Sequence, residues 1–200
     1  MKKKIFSQII MTVLMITIPL SAWAYDDEYA TTTSYTRTVG VNIMGNIQLV
    51  DTLPVMDMGI GGGIFFDYRF NQRFSFMLEG FFTLQNGKGA SAAENTIYFF
   101  AIPAATFKVY FLDSLAQIDP YIGVGVGFYG LLEGDDSNNT GGFGVGAQIE
   151  VGLEYLVADN LVLGVGGTYR SIGIINSLSG TANASVYMPY TLFGRIAYRF

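Results

Sequence analysis

The sequence predicts an all-β protein: an eight-stranded antiparallel up-and-down transmembrane β-barrel. Eight segments alternate between apolar residues and polar or small residues with a period of two. This is the pattern of strands that separate lipid from a lumen. Glycine is abundant, with 25 residues, and aromatic residues make up 15% of the chain, which suits strands with one crowded face. No internal run reaches the roughly 18 uninterrupted apolar residues that a membrane-spanning helix requires.

The last segment, residues 188–200, shows the alternation most clearly. Every second residue from Phe200 back to Met188 is apolar, aromatic or glycine, whereas the interleaved positions include Arg195 and Arg199. A face with two arginines is unsuited to a protein core, and the opposite face is apolar over its whole length. We therefore expect a strand whose apolar face contacts lipid and whose arginine face lines a lumen.

Seven earlier segments show the same alternation and give the other predicted strands in chain order. They cover residues 35–50, 58–70, 74–85, 96–111, 120–130, 143–155 and 161–170. Pro54 breaks the chain after the first strand, and a polar turn at 71–73 follows the second. Turns on the side of the termini are short and the other connections are mostly longer, as in bacterial transmembrane barrels. The longest loop is predicted at 171–186, although Ile172 and Ile174 leave open an extension of the seventh strand.

The fourth strand is ambiguous because both faces of its upper half are apolar. An inward Lys108 defines the phase of the alternation. Under that phase, eight residues are predicted to face lipid: Ile97, Phe99, Ala101, Pro103, Ala105, Phe107, Val109 and Phe111. Because Pro103 lacks an N–H group for the ladder, we also predict a local bulge there.

Charged residues decide which face is the interior. Nine of them fall on the face opposite the aromatic stripe: Asp67, Arg69, Glu79, Lys108, Glu150, Glu154, Arg170, Arg195 and Arg199. A soluble barrel of lipocalin type would instead place about twenty large apolar side chains in an interior that eight strands leave just wide enough for packed side chains. Unpaired buried charges cost several kcal/mol, so we expect the nine residues to form a salt-bridge network that plugs the lumen.

Counting along the strands from the turns near the termini predicts the pairs in this network. Arg195, at mid-height, is expected to pair with Glu79 or Glu150. Arg199, near the bottom, is expected to pair with Glu154 or Asp67. The alternative interpretation is a gated path for ions or small solutes, with the bridge from Arg195 to Glu79 or Glu150 as its switch.

Residues 1–24 are predicted to be a secretory signal peptide that is cleaved after Ala24. Three lysines precede a largely apolar stretch that ends in the small-x-small sequence AWA. Residues 25–34 are polar and acidic and are expected to form a mobile periplasmic tail, with the barrel at 35–200. Cleavage removes three of the eleven cationic residues, which leaves eight basic and sixteen acidic side chains and a net charge of −8. This balance argues against a nucleic-acid partner.

The chain contains no Cys and no His. Thiol chemistry, disulfides and the usual general base are therefore excluded, and we predict neither an enzymatic activity nor a cofactor. The third loop carries Glu133, Asp135, Asp136 and Asn138, which offer oxygen ligands of the kind that Ca²⁺ prefers. Their spacing matches no strict motif, so a solvated acidic loop is the favoured interpretation and no metal site is predicted.

Three stretches, TIYFFAIPAATFKVYF, DPYIGVGVGFYG and GRIAYRF, point to a known family. With them the chain resembles the small outer-membrane β-barrel domain family, the OmpA-, OmpX- and Opa-like eight-stranded barrels of Gram-negative bacteria. The resemblance implies export by the general secretion route and insertion into outer-membrane lipid. It also implies that Tyr198 and Phe200 form a C-terminal signal read by the barrel assembly machinery, with periplasmic chaperones as partners during biogenesis.

The predicted function is a structural or envelope-integrity role for a monomeric integral outer-membrane barrel. Its lumen is expected to be at most narrow and plugged by salt bridges. Two alternatives stay open, namely loop-mediated surface binding of adhesin or receptor type and porin-like passage of small solutes or ions. Since one fold hosts many roles, the resemblance is specific for architecture and not for role.

Overall fold

The protein is described by a computed structural model, which covers residues 36–48, 57–86, 96–112, 116–134, 140–176 and 183–200. These ranges contain strands β1 Thr36–Gln48, β2 Gly59–Arg69, β3 Phe74–Asn86, β4 Thr96–Tyr110, β5 Ile118–Gly134, β6 Thr140–Ala158, β7 Leu161–Asn176, β8 Asn183–Tyr187 and β9 Pro189–Arg199. The predicted signal peptide and periplasmic tail lie outside these residues. No helix in the described ranges is long and apolar enough to cross a membrane.

Strands β1 to β7 each pair antiparallel with the next strand in the chain, and the sheet closes on itself between β1 and β9. The segments β8 and β9 both pair with β7, β8 with its upper part and β9 with its lower part. They are therefore two pieces of one wall strand, interrupted at Met188. The structure is a closed eight-stranded up-and-down barrel, which confirms the predicted fold class.

The closing seam brings the two chain ends of the barrel together. The pairing of β1 with β9 runs from Thr38 opposite Arg199 to Gln48 opposite Pro189. Beyond it, Arg37 N–H donates to the carbonyl of Phe200 at 3.1 Å, and Phe200 N–H donates to the carbonyl of Arg37 at 2.8 Å. Each wall strand then has a hydrogen-bonded neighbour on both sides, so its backbone groups are paired, as an environment without water requires.

Three strands extend further than the sequence predicts. β5 and β6 continue to Gly134 and from Thr140, and β7 continues to Asn176, where it pairs with β8. The predicted loop at 171–186 is thus too long, and the open extension through Ile172 and Ile174 is the correct reading. Backbone hydrogen bonds hold these extensions, and such bonds do not require alternating side chains. A prediction based on alternation therefore ended these strands too early.

The apolar stripe faces outward and the charged stripe faces the lumen, as predicted for seven of the eight wall strands. Ile43, on the predicted lipid face of β1, is 73% exposed, whereas its neighbours Asn42 and Met44 are buried. On β9, Leu192 and Tyr198 are exposed and Arg195 is buried. The outward stripe is the surface that lipid covers in a transmembrane barrel.

The upper half of β4 has the opposite orientation to the predicted one. Ile97, Phe99 and Ala101 are buried in the lumen, and Ile102 is 73% exposed instead. The register shifts between Ala101 and Ala104 on the side of β5, and a matching irregularity occurs opposite, on β3. An extra residue in the ladder reverses the alternation beyond it. The bulge was predicted at Pro103, but its effect on the side chains above it was not.

Candidate functional site: the barrel lumen

The lumen is the only candidate site that the described residues build from charged side chains. All nine predicted lumen residues lie on the inward face; seven are buried, and Glu154 and Arg199 are half-buried. They divide into a cluster near the termini and a cluster at mid-height. A layer of aromatic and aliphatic side chains lies above both.

Lys108 organises the lower cluster. Its Nζ lies 2.6 Å from Asp67 Oδ2 and 3.3 Å from Glu154 Oε1, and it sits 4.5 Å from the centroid of the Tyr121 ring. Tyr110 Oη donates to Glu154 at 3.1 Å. The two carboxylates that were candidate partners of Arg199 are thus bound by Lys108. A single ammonium with three donors suits this position between two carboxylates and a ring.

Arg69 ties the lower cluster to the turns beneath it. Its guanidinium forms a salt bridge of 2.7 Å with Asp119 and donates to the backbone carbonyls of Gln72 and Leu112. It also stacks 3.8 Å from the centroid of the Tyr110 ring. One planar cation therefore links the β2–β3 turn to the start of β5, which closes the lower end of the lumen.

Asp119 was not among the predicted site residues. The fifth strand was predicted to begin at Pro120, whereas β5 begins at Ile118 and includes Asp119. A usable signal was present, because Asp119, Tyr121 and Tyr129 share the period-two phase of the inward glycines in YIGVGVGFYG. All three side chains are buried in the lumen.

Arg195 is the centre of the middle cluster. Its Nη1 lies 3.0 Å from Glu150 Oε1 and 2.7 Å from Tyr121 Oη, and Tyr121 Oη donates to the same carboxylate at 2.6 Å. Its Nε donates to Asn42 Oδ1 at 3.1 Å, and Asn42 Nδ2 donates to Glu79 Oε1 at 2.6 Å. Of the two predicted partners, Glu150 is bound directly, whereas Glu79 is reached through an amide.

Two atoms of this cluster have no hydrogen-bond partner, namely Glu79 Oε2 and Arg195 Nη2. Both belong to buried side chains, so their desolvation is incompletely offset. The bridge from Arg195 to Glu150 is therefore the one direct ion pair that the described residues form in this layer.

Arg170, the highest of the charged residues, is held by neutral groups. Its Nε donates to Gln148 Oε1 at 3.0 Å, its Nη1 donates to Thr191 Oγ1 at 2.6 Å, and its guanidinium lies 4.6 Å from the centroid of the Phe81 ring. Tyr129 Oη donates to the same Gln148 oxygen at 2.9 Å. Arg170 thus marks the boundary between the polar lumen below and the apolar lumen above.

The upper lumen is filled by side chains in mutual contact. The Phe99 ring lies 5.2 Å from Phe81, 5.9 Å from Tyr129 and 5.2 Å from Tyr187, measured between ring centroids. Ile172 packs into the same cluster and is fully buried. Phe99 reaches this position only because the bulge in β4 turns it inward.

Inward glycines make room for these large side chains. A Cβ at Gly152 would lie 2.5 Å from Tyr121 Oη, and a Cβ at Gly127 would lie 2.8 Å from Tyr129 Oη. Each tyrosine therefore occupies the space above a glycine on the same or the adjacent strand. The abundance of glycine was expected to suit strands with one crowded face, and here glycine accommodates tyrosine.

No group of three or more Asp and Glu side chains in the described ranges is arranged to hold a metal ion. Asp135, Asp136 and Asn138, and the side chain of Glu133, lie outside what the structure describes. The charged side chains of the lumen are held by ion pairs and hydrogen bonds to their neighbours.

Comparisons with known proteins agree with this architecture. No curated protein matches the sequence at a significant level. Neisserial surface protein A is similar in fold, with 16% identity and a TM-score of 0.61 over 83% of this chain and 97% of that chain. The outer membrane protein OprG from Pseudomonas aeruginosa has 15% identity and a TM-score of 0.58 over 84% and 97%. Outer Membrane Protein W of E. coli has 17% identity and a TM-score of 0.50 over 86% and 100%.

At such low identity these structures establish a shared fold and nothing more specific. The sequence itself matches a family described as "Outer membrane protein beta-barrel domain" over residues 10–200, which is nearly the whole chain. The family indicates the outer membrane of Gram-negative bacteria as the location. The chain belongs to the outer membrane protein β-barrel domain family.

Proposed function

We propose that this protein is a sealed structural barrel that contributes to the integrity of the outer membrane and does not conduct solutes. The observation that carries the proposal is the double closure of the lumen. Ion pairs fill its lower and middle parts, and an aromatic cluster fills its upper part. The proposal includes the absence of an enzymatic activity and of a cofactor.

The ionic layers oppose conduction because they are neutralised in place. Lys108 is matched by Asp67 and Glu154, and Arg195 by Glu150, at distances of 2.6–3.3 Å. A hydrated ion would have to separate one of these pairs, and an unpaired buried charge costs about 3–5 kcal/mol.

The aromatic layer opposes conduction by a different mechanism. Phe81 and Tyr187 each pack edge to face on Phe99, with ring centroids 5.2 Å apart in both pairs, and all three side chains are buried. Apolar constrictions exclude water and therefore ions. Loss of one layer alone is expected to leave the other closed.

Biogenesis in this proposal follows the predicted signals. The signal peptide is removed after Ala24, periplasmic chaperones carry the acidic mature chain, and the assembly machinery reads Tyr198 and Phe200. Phe200 is well placed for this role, since its ring is exposed on the outer surface and stacks at 6.3 Å on Tyr198. The mature barrel is proposed to be monomeric, with membrane lipid as its surrounding partner.

Planar-bilayer recording tests the sealed lumen. We expect the wild-type protein and the single variants Arg195→Ala and Phe99→Ala to show no discrete openings, since each variant retains one closed layer. The double variant is expected to conduct. Openings of the wild type that change in Arg195→Ala would refute the proposal and support the alternative of gated ion passage.

The integrity role is tested in cells that lack the protein. We expect increased entry of a hydrophobic dye, and recovery when the wild-type protein is supplied. A variant in which residues 177–182 are replaced by a short Gly-Ser turn should restore the barrier equally well. Failure of this variant alone, with normal assembly, would favour the alternative of loop-mediated surface binding.

A further inference from the structure

Several grooves lie on the outer surface of the barrel, and one of them crosses the closing seam. It crosses β2, β1, β9, β7 and β6 and has a volume of about 810 Å³. This volume lies within the range of about 300–1,000 Å³ that is typical of ligand pockets. We propose that the groove holds one acyl chain of an outer-leaflet membrane lipid as a specific site.

Glycines on the lipid face create the groove. Gly45 lies opposite Leu192, and Gly194 lies opposite both Ile43 and Val165, so small and large residues alternate across the seam. A Cβ at Gly194 would meet no atom within 4 Å, which identifies this position as open floor. The other two glycines are covered, Gly45 by the Met58 side chain and Gly167 by the Tyr190 ring, so Gly194 provides the open floor.

The walls of the groove are apolar. Ile43, Leu192 and Val165 are exposed beside the floor, and Met58 and Ile60 are exposed at the end where β2 begins. The Tyr190 hydroxyl is the one polar side-chain group among its lining residues. Because this surface belongs to the membrane-spanning wall, hydrocarbon is the medium that meets it, and an apolar concave surface is best filled by a flexible apolar chain.

The direction of the groove matches a lipid that enters from the outer leaflet. One end lies at Met58 and Ile60, at the beginning of β2 and far from the chain termini, and the other lies at Leu153, five residues before the end of β6. Five adjacent strands spaced by about 4.8 Å give a length of about 19 Å. Because the strands are tilted, this oblique path descends through roughly half of the about 30 Å hydrocarbon core, which is the depth of one leaflet.

A second copy of the chain fits the groove less well. A two-fold symmetric contact at this surface would place two concave faces opposite each other and leave a void between them. The protruding residue Ile102 lies on β4, away from the groove, so its insertion would require an open-ended, heterologous contact. An acyl chain adapts to the floor without these requirements.

Photo-crosslinking tests the site with phosphatidylethanolamine probes in phosphatidylethanolamine–phosphatidylglycerol vesicles. One probe carries a diazirine near the headgroup end of an acyl chain and the other near the methyl end. We expect the first to label the region of Met58 and Ile60 and the second to label Val165 and Leu153. Labelling there should exceed that of Val124, an exposed residue of β5 that lines none of these grooves, by about fivefold.

The variant Gly194→Leu fills the floor, and labelling should fall to the level of Val124. Gly80→Leu is the matched control, because Gly80 also faces outward and a Cβ there would have its nearest neighbour, the carbonyl oxygen of Ala101, at 3.7 Å. It should leave labelling unchanged. If Gly194→Leu does not fold, Val165→Trp fills the groove from a position that already points outward.

Three outcomes would overturn the proposal. The first is uniform labelling around the wild-type belt. The second is a folded groove-filling variant that is labelled like the wild type, or a reversed order of the two probes along the groove. The third is a wild-type dimer in sedimentation that Gly194→Leu converts to a monomer, since a second copy would then be the occupant.

Discussion

Neutralising Glu150 should destabilise the barrel far more than neutralising Glu79. Both carboxylates are buried, at 0% and 3% exposure, and the substitution to Gln has the same shape in each case. Glu150 forms a 3.0 Å bridge with Arg195, whereas Glu79 has no cation within salt-bridge distance in the part of the chain that the structure describes. The matched pair therefore separates the effect of an ion pair from the effect of a buried carboxylate.

The expected magnitude follows from what each variant leaves behind. Glu150→Gln keeps acceptors for Arg195 and Tyr121 but leaves the guanidinium without a bound carboxylate, which costs about 3 kcal/mol, the lower end for a broken buried pair. Glu79→Gln keeps its hydrogen bond from Asn42 and should change the free energy of unfolding by less than about 1 kcal/mol.

Urea titration in phospholipid vesicles measures this difference. The single tryptophan, Trp23, lies in the predicted signal peptide, so far-UV circular dichroism and the heat-dependent shift in gel mobility replace tryptophan fluorescence. Equal losses in both variants, or a loss below about 1 kcal/mol for Glu150→Gln, would refute the assignment of the middle layer to this ion pair.

Three other predictions can be checked directly. Phe99→Ala should lower the free energy of unfolding by about 3–5 kcal/mol in the same titration, because it leaves a cavity in the upper lumen. Phe100→Ala, on the outer side of β4, should lower it clearly less. Equal losses would contradict the observed orientation of that strand. Mass spectrometry of the membrane form should find Tyr25 as the first residue; a chain that retains Met1 would contradict cleavage after Ala24. Deletion of Phe200 should reduce the heat-modifiable fraction in the membrane, and an unchanged fraction would contradict its role in assembly.

The alternation of side chains carries most of the information that the sequence holds about this fold. A period of two needs only the local geometry of an extended chain, so the lipid and lumen faces of β1, β9 and the other regular strands were predictable. The pairing of Arg195 was narrowed to two carboxylates by counting along strands. The choice of Glu150 depends on two registers, that of β6 against β7 and that of β7 against β9, and no local pattern contains either.

The upper half of β4 shows where local reasoning ends. Both faces of that stretch are apolar, so hydrophobicity does not distinguish them, and Lys108 lies on the other side of the bulge. Asp119 shows a second limit, because a charged residue beside a proline at a strand end resembles a turn until its ion pair with Arg69 is formed.

The sequence by itself determined the fold class, the outward and inward faces of the regular strands, and the set of charged residues that the lumen holds. The tertiary structure alone decided which of these residues touch, how the bulge turns Phe99 inward, and where glycines of separate strands meet as a groove. The physical reason is that a face is a property of one strand, whereas a contact across the lumen or the seam is a property of register and closure.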